Sequence, residues 1–359
     1  MDILIVDDSL VFRHAIAAAL NRDPTVRVVG SVRNGRKALE FLQQRHVDLV
    51  TLDMEMPEMD GLAKLAEIQK LNAGKPRSER IGVVVVSTHT HAGAAMTLRA
   101  LEAGAFDFVA KPAGVSEEDG VDLLHQALAP RVLSFASARA RAGLASPAAP
   151  VGASSRLPSG FFASGTADDV DVICIGVSTG GPRALAEMLP ALCKVTNLPI
   201  FLVQHMPEGF TASLAESLSR TCQAHVREAV DGESVQLATV YVAPGGRHLL
   251  IGRGADGLVV RIADTPPENR CRPSVDVLFR SAASVCQGRV IAIVMTGMGN
   301  DGEKSLRMLR REGARIIAQD EATSVVWGMP GSAVATGCVD KVAALMDIPS
   351  VVGRMLGRG

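Results

Sequence analysis

Short apolar runs separated by segments of helical period set the layout of this chain. In the first 128 residues, runs at 3–6, 26–29, 47–52, 83–86 and 106–110 are dominated by aliphatic residues. They are too short for helices and predict strands. Between them, apolar positions recur at three- and four-residue spacing. From Ser9 to Arg22, for example, Phe12, Ile16, Ala19 and Leu20 share a face, and Ser9 can cap the N-terminus. Five such units predict an α/β domain built on a doubly wound parallel sheet. A second α/β pattern begins at Asp168. Its runs at 172–177, 200–203, 239–242, 258–262, 290–295 and 315–318 predict another doubly wound sheet.

The two patterns are joined by a stretch of different character. No acidic residue occurs between Asp122 and Asp168, and 145–165 is mostly Ala, Ser, Pro and Gly. That composition predicts a flexible, solvated linker. Whether 131–144 prolong the preceding helix is left open by the pattern. The expected division is 1–128, a linker at 129–167, and 168–355.

Composition narrows the classes. At roughly 150 residues per domain, 359 residues fit two domains. Apolar residues make up 47% and aromatics only 3%, so the cores must be aliphatic. Net charge is −1, and from Asp168 onward 19 Lys and Arg face 20 Asp and Glu. Neither half offers the basic face that nucleic-acid binding by counterion release needs. Six cysteines without CxxC spacing predict buried, reduced thiols rather than a zinc site or disulfides. No run approaches the roughly 18–20 apolar residues of a membrane span, and no signal-peptide pattern is present. A cytoplasmic monomer that is not membrane-inserted is expected.

Candidate chemistry gathers at strand ends. Asp7-Asp8 follow the first predicted strand, Asp53 the third, Ser87 the fourth and Lys111-Pro112 the fifth. Carboxyl ends of parallel strands line one crevice, so these residues should converge. Three carboxylates together repel and call for a hard cation such as Mg2+. One of them can accept a phosphoryl group, with Lys111 and the Ser87 hydroxyl on its oxygens. Any one Asp alone reads better as a strand-end or helix-capping residue. His89 and His91 read as solvated loop residues, since no third ligand lies near.

This set resembles the response-regulator receiver family, and Met56-Pro57-Glu58-Met59-Asp60-Gly61 extends the likeness. The resemblance implies a flavodoxin-like fold and phosphorylation at Asp53 by a sensor histidine kinase. It implies Mg2+ held by Asp8, Asp53 and the Glu55 backbone carbonyl beside Asp7. Phe108 takes the aromatic switch position, with Ser87 and Lys111 completing the switch.

In the second half, Gly176-Val177-Ser178-Thr179-Gly180-Gly181-Pro182 lies between a strand and a helix pattern. Such a turn can cradle a phosphate or present a serine nucleophile. No Gly-Lys-Ser/Thr follows. His205 ends the next strand, where a lone histidine is commonly structural. Asp301 sits in Met298-Gly299-Asn300-Asp301-Gly302, where a lone Asp commonly makes a turn. Together, Ser, His and Asp are the types that nucleophilic acyl transfer requires. Their order differs from the Ser, Asp, His order of lipase-type hydrolases.

The segments 176–181, 204–211, 241–245, 272–279, 296–302 and 319–330 resemble the catalytic domain of the chemotaxis protein-glutamate methylesterase family. The resemblance implies a Rossmann-like domain with Ser178 as nucleophile, His205 as base and Asp301 as its orienting carboxylate. It places the Met298 N–H as oxyanion donor; Thr179 N–H is a further candidate on elbow geometry. Methyl-accepting chemoreceptors are the implied substrate, demethylated at glutamate and deamidated at glutamine, with no cofactor for the ester chemistry. The receiver is expected to control access to the cleft. The alternatives are a receiver-regulated serine hydrolase on another protein or ester, and a phosphorylation-dependent binding module.

Overall fold

The structure is a computed structural model and describes residues 1–56, 61–88, 90–112, 114–144 and 170–358. Residues 57–60 of the Met56–Gly61 motif, His89, and the 145–167 part of the expected linker lie outside these residues.

The chain divides into two units, Met1–Ala142 and Gly143–Gly359. The first is a five-stranded sheet of β1 (Asp2–Val6), β2 (Arg27–Val32), β3 (Leu49–Asp53), β4 (Gly82–Ser87) and β5 (Asp107–Ala110). The spatial order is β2-β1-β3-β4-β5, all parallel. The central strands β3 and β4 are buried at every position, as expected for a parallel sheet covered on both faces. Around the sheet run α1 (Leu10–Leu20), α2 (Gly35–Gln44), α3 (Gly61–Asn72), α4 (His91–Glu102) and α5 (Glu117–Leu144). The cap on α1 forms as the sequence predicts, with the Ser9 side chain accepting from the Phe12 N–H. The question left by 131–144 is answered by α5, which is helical through Leu144. Its Phe135 packs edge-on against Phe106 at 5.1 Å.

The second unit holds a seven-stranded parallel sheet. Its strands are β6 (Val172–Val177), β7 (Ile200–Gln204), β8 (His225–Glu228), β9 (Thr239–Val242), β12 (Val290–Val294), β13 (Arg315–Gln319) and β14 (Lys341–Ala343). The order is β14-β13-β12-β6-β7-β9-β8. Chain progression reverses on either side of β6, so the crevice between β12 and β6 is a topological switch point, where open α/β sheets bind ligands. The helices are α6 (Gly181–Val195), α7 (Phe210–Ser219), α8 (Val275–Cys286), α9 (Glu303–Arg311), α10 (Met329–Ala335) and α11 (Ile348–Met355). β6, β7 and β12 are wholly buried, and the core is aliphatic with Phe201, Phe210, Tyr241 and Phe279 as its large rings.

One expectation needs correction. The run at 258–262 does not join the parallel sheet. It lies in β11 (Gly257–Ala263), which pairs antiparallel with β10 (His248–Gly254) in a separate hairpin. Most of β11 is only half-buried, so its apolar run covers one side of a ribbon.

Candidate functional site

In the first unit, the carboxyl ends of β1, β3 and β5 bring Asp7, Asp8, Asp53 and Lys111 together. Carboxylate oxygens of the three aspartates lie within 4.8 Å of one another. Asp7 and Asp53 are buried and Asp8 is exposed. Lys111 Nζ donates to Asp53 Oδ2 at 2.8 Å and lies 3.0 Å from Asp7 Oδ2. Burial works against the Lys111 charge, but the two carboxylates outweigh it and hold the ammonium above its ordinary range. Burial pushes Asp7 up, with the Asp53 charge adding to it and Lys111 opposing. The Asp7 carboxylate also accepts from the Ser9 N–H at 2.9 Å, so the turn into α1 orients it. Three converging hard oxygens, two of them desolvated, are a donor set that suits Mg2+.

The remaining receiver residues are placed as follows. The Ser87 hydroxyl is buried and donates to the Gly93 carbonyl at 3.2 Å. Thr88, next in sequence, bonds Glu55 Oε1 at 2.7 Å. The Glu55 N–H donates to Asp53 Oδ1 at 3.1 Å. Phe108 is buried on β5, opposite Val85. His91 is exposed at the start of α4.

In the second unit, Ser178 follows β6, His205 follows β7 and Asp301 lies seven residues past the end of β12. The β6–β7 register pairs Val177 with Gln204, so Ser178 and His205 are the next positions on adjacent strands. The His205 N–H donates to the Val177 carbonyl at 3.1 Å, which carries the ladder one bond further. The Gln204 amide donates to the carbonyls of both Ser178 and His205, at 3.0 and 3.2 Å. Gly180 adopts φ +79° and lets the chain turn into α6, with Pro182 in the first turn. A Cβ on Gly181 would lie 1.9 Å from Gln204 Oε1. The turn therefore needs glycine for close approach.

His205 Nε2 lies 2.8 Å from Asp301 Oδ2. The Asp301 carboxylate is saturated. Oδ2 also accepts from the Val275 N–H at 2.6 Å, and Oδ1 from Ser274 Oγ and Asn269 Nδ2 at 2.8 and 2.7 Å. The N–H groups of Asp276 and Gly302 reach Oδ1 at 3.2 and 3.1 Å. Burial penalises its charge, yet His205 and these donors hold its carboxyl well below the usual range. Burial likewise opposes a charged His205, but the bonds to Asp301 and to Cys271 prevail and push the imidazole up to about 10.

Thr296 locks the third strand end, bonding the Thr179 carbonyl and accepting from the Val325 and Val326 N–H groups. The Met298 N–H donates to no backbone carbonyl among the described residues. Asn269, Cys271, Ser274, Asp276 and Gln204 escaped the sequence reading as site residues. Ser274 carried the one usable signal, a cap-type residue before an apolar helix.

Family models match both units. Residues 3–121 match the response regulator receiver domain and 173–352 the CheB methylesterase domain. This is a receiver-linked, methylesterase-type protein. A protein-glutamate methylesterase/protein-glutamine glutaminase of Desulfotalea psychrophila is 40% identical, over 96% of each chain. One of Bordetella bronchiseptica is 41% identical over 99% of this chain and 97% of its own. The crystal structure of the Thermotoga maritima CheB methylesterase catalytic domain is 39% identical, with a TM-score of 0.51. It covers 52% of this chain and 98% of that one. The chain belongs to the protein-glutamate methylesterase/protein-glutamine glutaminase family.

Proposed function

We propose that this protein removes methyl groups from glutamate methyl esters, releasing methanol, and deamidates glutamines on chemoreceptor cytoplasmic segments. Phosphorylation of Asp53 by a chemotaxis-type histidine kinase raises this activity, so the enzyme resets receptor sensitivity. The observation that carries the reading is the convergence of Ser178, His205 and Asp301 at the β12/β6/β7 strand ends.

Asp301 fixes His205 through Nε2, which leaves Nδ1 as the proton acceptor. Ser178 Oγ attacks the side-chain carbonyl as Nδ1 takes its proton. The N–H groups of Met298 and Thr179 are the candidate donors to the developing oxyanion. The proton returns to the departing methoxide or amine, giving methanol or ammonia and a glutamyl ester on Ser178. Water, deprotonated by His205, then cleaves that ester and frees the glutamate. Groups on this chain supply every proton transfer without a cofactor.

In the receiver, Asp53 is the phosphoacceptor. Asp7, Asp8 and Asp53, with the Glu55 backbone carbonyl, would hold Mg2+, which neutralises charge on the transferring phosphoryl group. Lys111 neutralises a further oxygen. Ser87, Phe108 and Lys111 report the phosphoryl group to the rest of the unit. Among the described residues no helix is long and apolar enough to cross a membrane.

The test is methanol release from methyl-labelled receptor membranes, with and without a small phosphodonor and Mg2+. Release that rises with phosphodonor and vanishes in Ser178→Ala is expected. No release from any methylated receptor, with Asp53 phosphorylated, would overturn the assignment.

A further inference from the structure

Nδ1 of His205, the atom that must take the Ser178 proton, is occupied. It faces the Cys271 thiol at 3.6 Å, and among the described residues no hydrogen bond joins it to Ser178. The thiol is held by its own turn. Glu268 and Cys271 exchange backbone hydrogen bonds at 3.1 and 2.8 Å. Asn269, between them, is anchored to Asp301, Asp276 and Lys304. The sulfur also lies 3.5 Å from the Asn269 carbonyl. With the ring protonated, the sulfur accepts Nδ1–H while its own S–H points toward the Asn269 carbonyl. That withholds Nδ1 from Ser178.

We propose that Cys271 is a positioning residue for the esterase reaction, holding Nδ1 of His205 in the resting enzyme so that Ser178 must displace the thiol before it can be activated. This rests on the hydrolase reading of Ser178, His205 and Asp301. The charged groups facing the pair are few. Asp301 bonds Nε2, with Asp276 behind it across Asn269. Glu268, on the Cys271 turn, is neutralised by Arg280. Lys304 bonds Asn269. Arg270 is exposed, and Arg272 pairs with Asp264. The thiol is therefore the one titratable partner on the Nδ1 side among the described residues, and it favours the protonated ring. Its removal should lower the pH at which His205 becomes a free base.

The experiment uses the full chain in two arms. The first is the pH–rate profile of methanol release for wild type, Cys271→Ala and Cys271→Ser. The acid limb should move down by about one pH unit in Cys271→Ala, a roughly tenfold rate gain on that limb. Cys271→Ser should fall between. The second arm is the iodoacetamide alkylation rate at Cys271, read by mass spectrometry, in wild type and His205→Gln. Alkylation should change several-fold without the imidazole, because the sulfur loses the ring N–H that engages it. An acid limb of Cys271→Ala that coincides with wild type overturns the proposal, as does alkylation indifferent to His205. The second arm needs no ester cleavage and no folded Cys271 variant. If no substrate is cleaved, the hydrolase reading fails separately, and alkylation still decides whether the thiol engages Nδ1.

Discussion

The Asp301 carboxylate accepts six hydrogen bonds, so the side chain proposed to orient His205 is itself immobilised. Replacing Ser178 by Ala should lower demethylation by about 10^4-fold or more with the fold intact, checked by methanol release beside circular dichroism. Asp301→Asn should cost a similar factor, because an amide cannot hold the ring in the same tautomer. It should also carry a pH signature. The folded Asp301 carboxyl lies below its unfolded value, so its contribution to stability is present above that unfolded value, about pH 4. It is lost as pH falls toward the folded one. The melting-temperature gap between wild type and Asp301→Asn should be full at pH 7 and narrow only below about pH 4. His205 runs the other way. Its folded value, about 10, lies above the unfolded one, so its contribution holds below about pH 6.5 and fades as pH rises through 10.

At the scale of elements, the β6–α6 turn exists because Gly181 lets the Gln204 amide approach. Gly181→Ala should lower the melting temperature, at a cost of about 1–3 kcal/mol, and reduce kcat together with it, since Gln204 bridges the Ser178 and His205 backbones. Thermal melts and initial rates on one preparation check this. Most interior strands were legible in the sequence, since doubly covered parallel strands read as unbroken aliphatic runs. The edges of the second sheet were not. β8 and β14 are short and partly exposed, and no apolar run marks them. β10 was missed and β11 misplaced, because a hairpin packed on one side carries the same Val, Ile and Leu as an interior strand. Ser178 and Asp301 were legible as residues of glycine-rich turns after apolar runs, and His205 as the end of an apolar run. Asn269, Cys271 and Gln204 were not, since each acts through contacts that exist only once separate segments meet.

For the whole molecule, both units place their candidate chemistry at the carboxyl ends of a parallel sheet, and the two sites should be separable by mutation. Asp53→Ala should leave Ser178 in place yet abolish the rise in methanol release on adding phosphodonor and Mg2+. Ser178→Ala should still accept label from a phosphodonor at Asp53. An Asp53→Ala protein that still responds to phosphodonor would remove the receiver from control of the esterase.

The pairing of Val177 with Gln204 has a consequence for how such a site can change. The placement of Ser178 beside His205 is inherited from a β-ladder, and a ladder shifts register only in whole residues, each about 3.3 Å. The register that brings Ser178 beside His205 therefore changes only in whole-residue steps. Variation in what the enzyme accepts must come from the turns above the strands, including the one that carries Cys271, while the reacting pair stays where the sheet puts it.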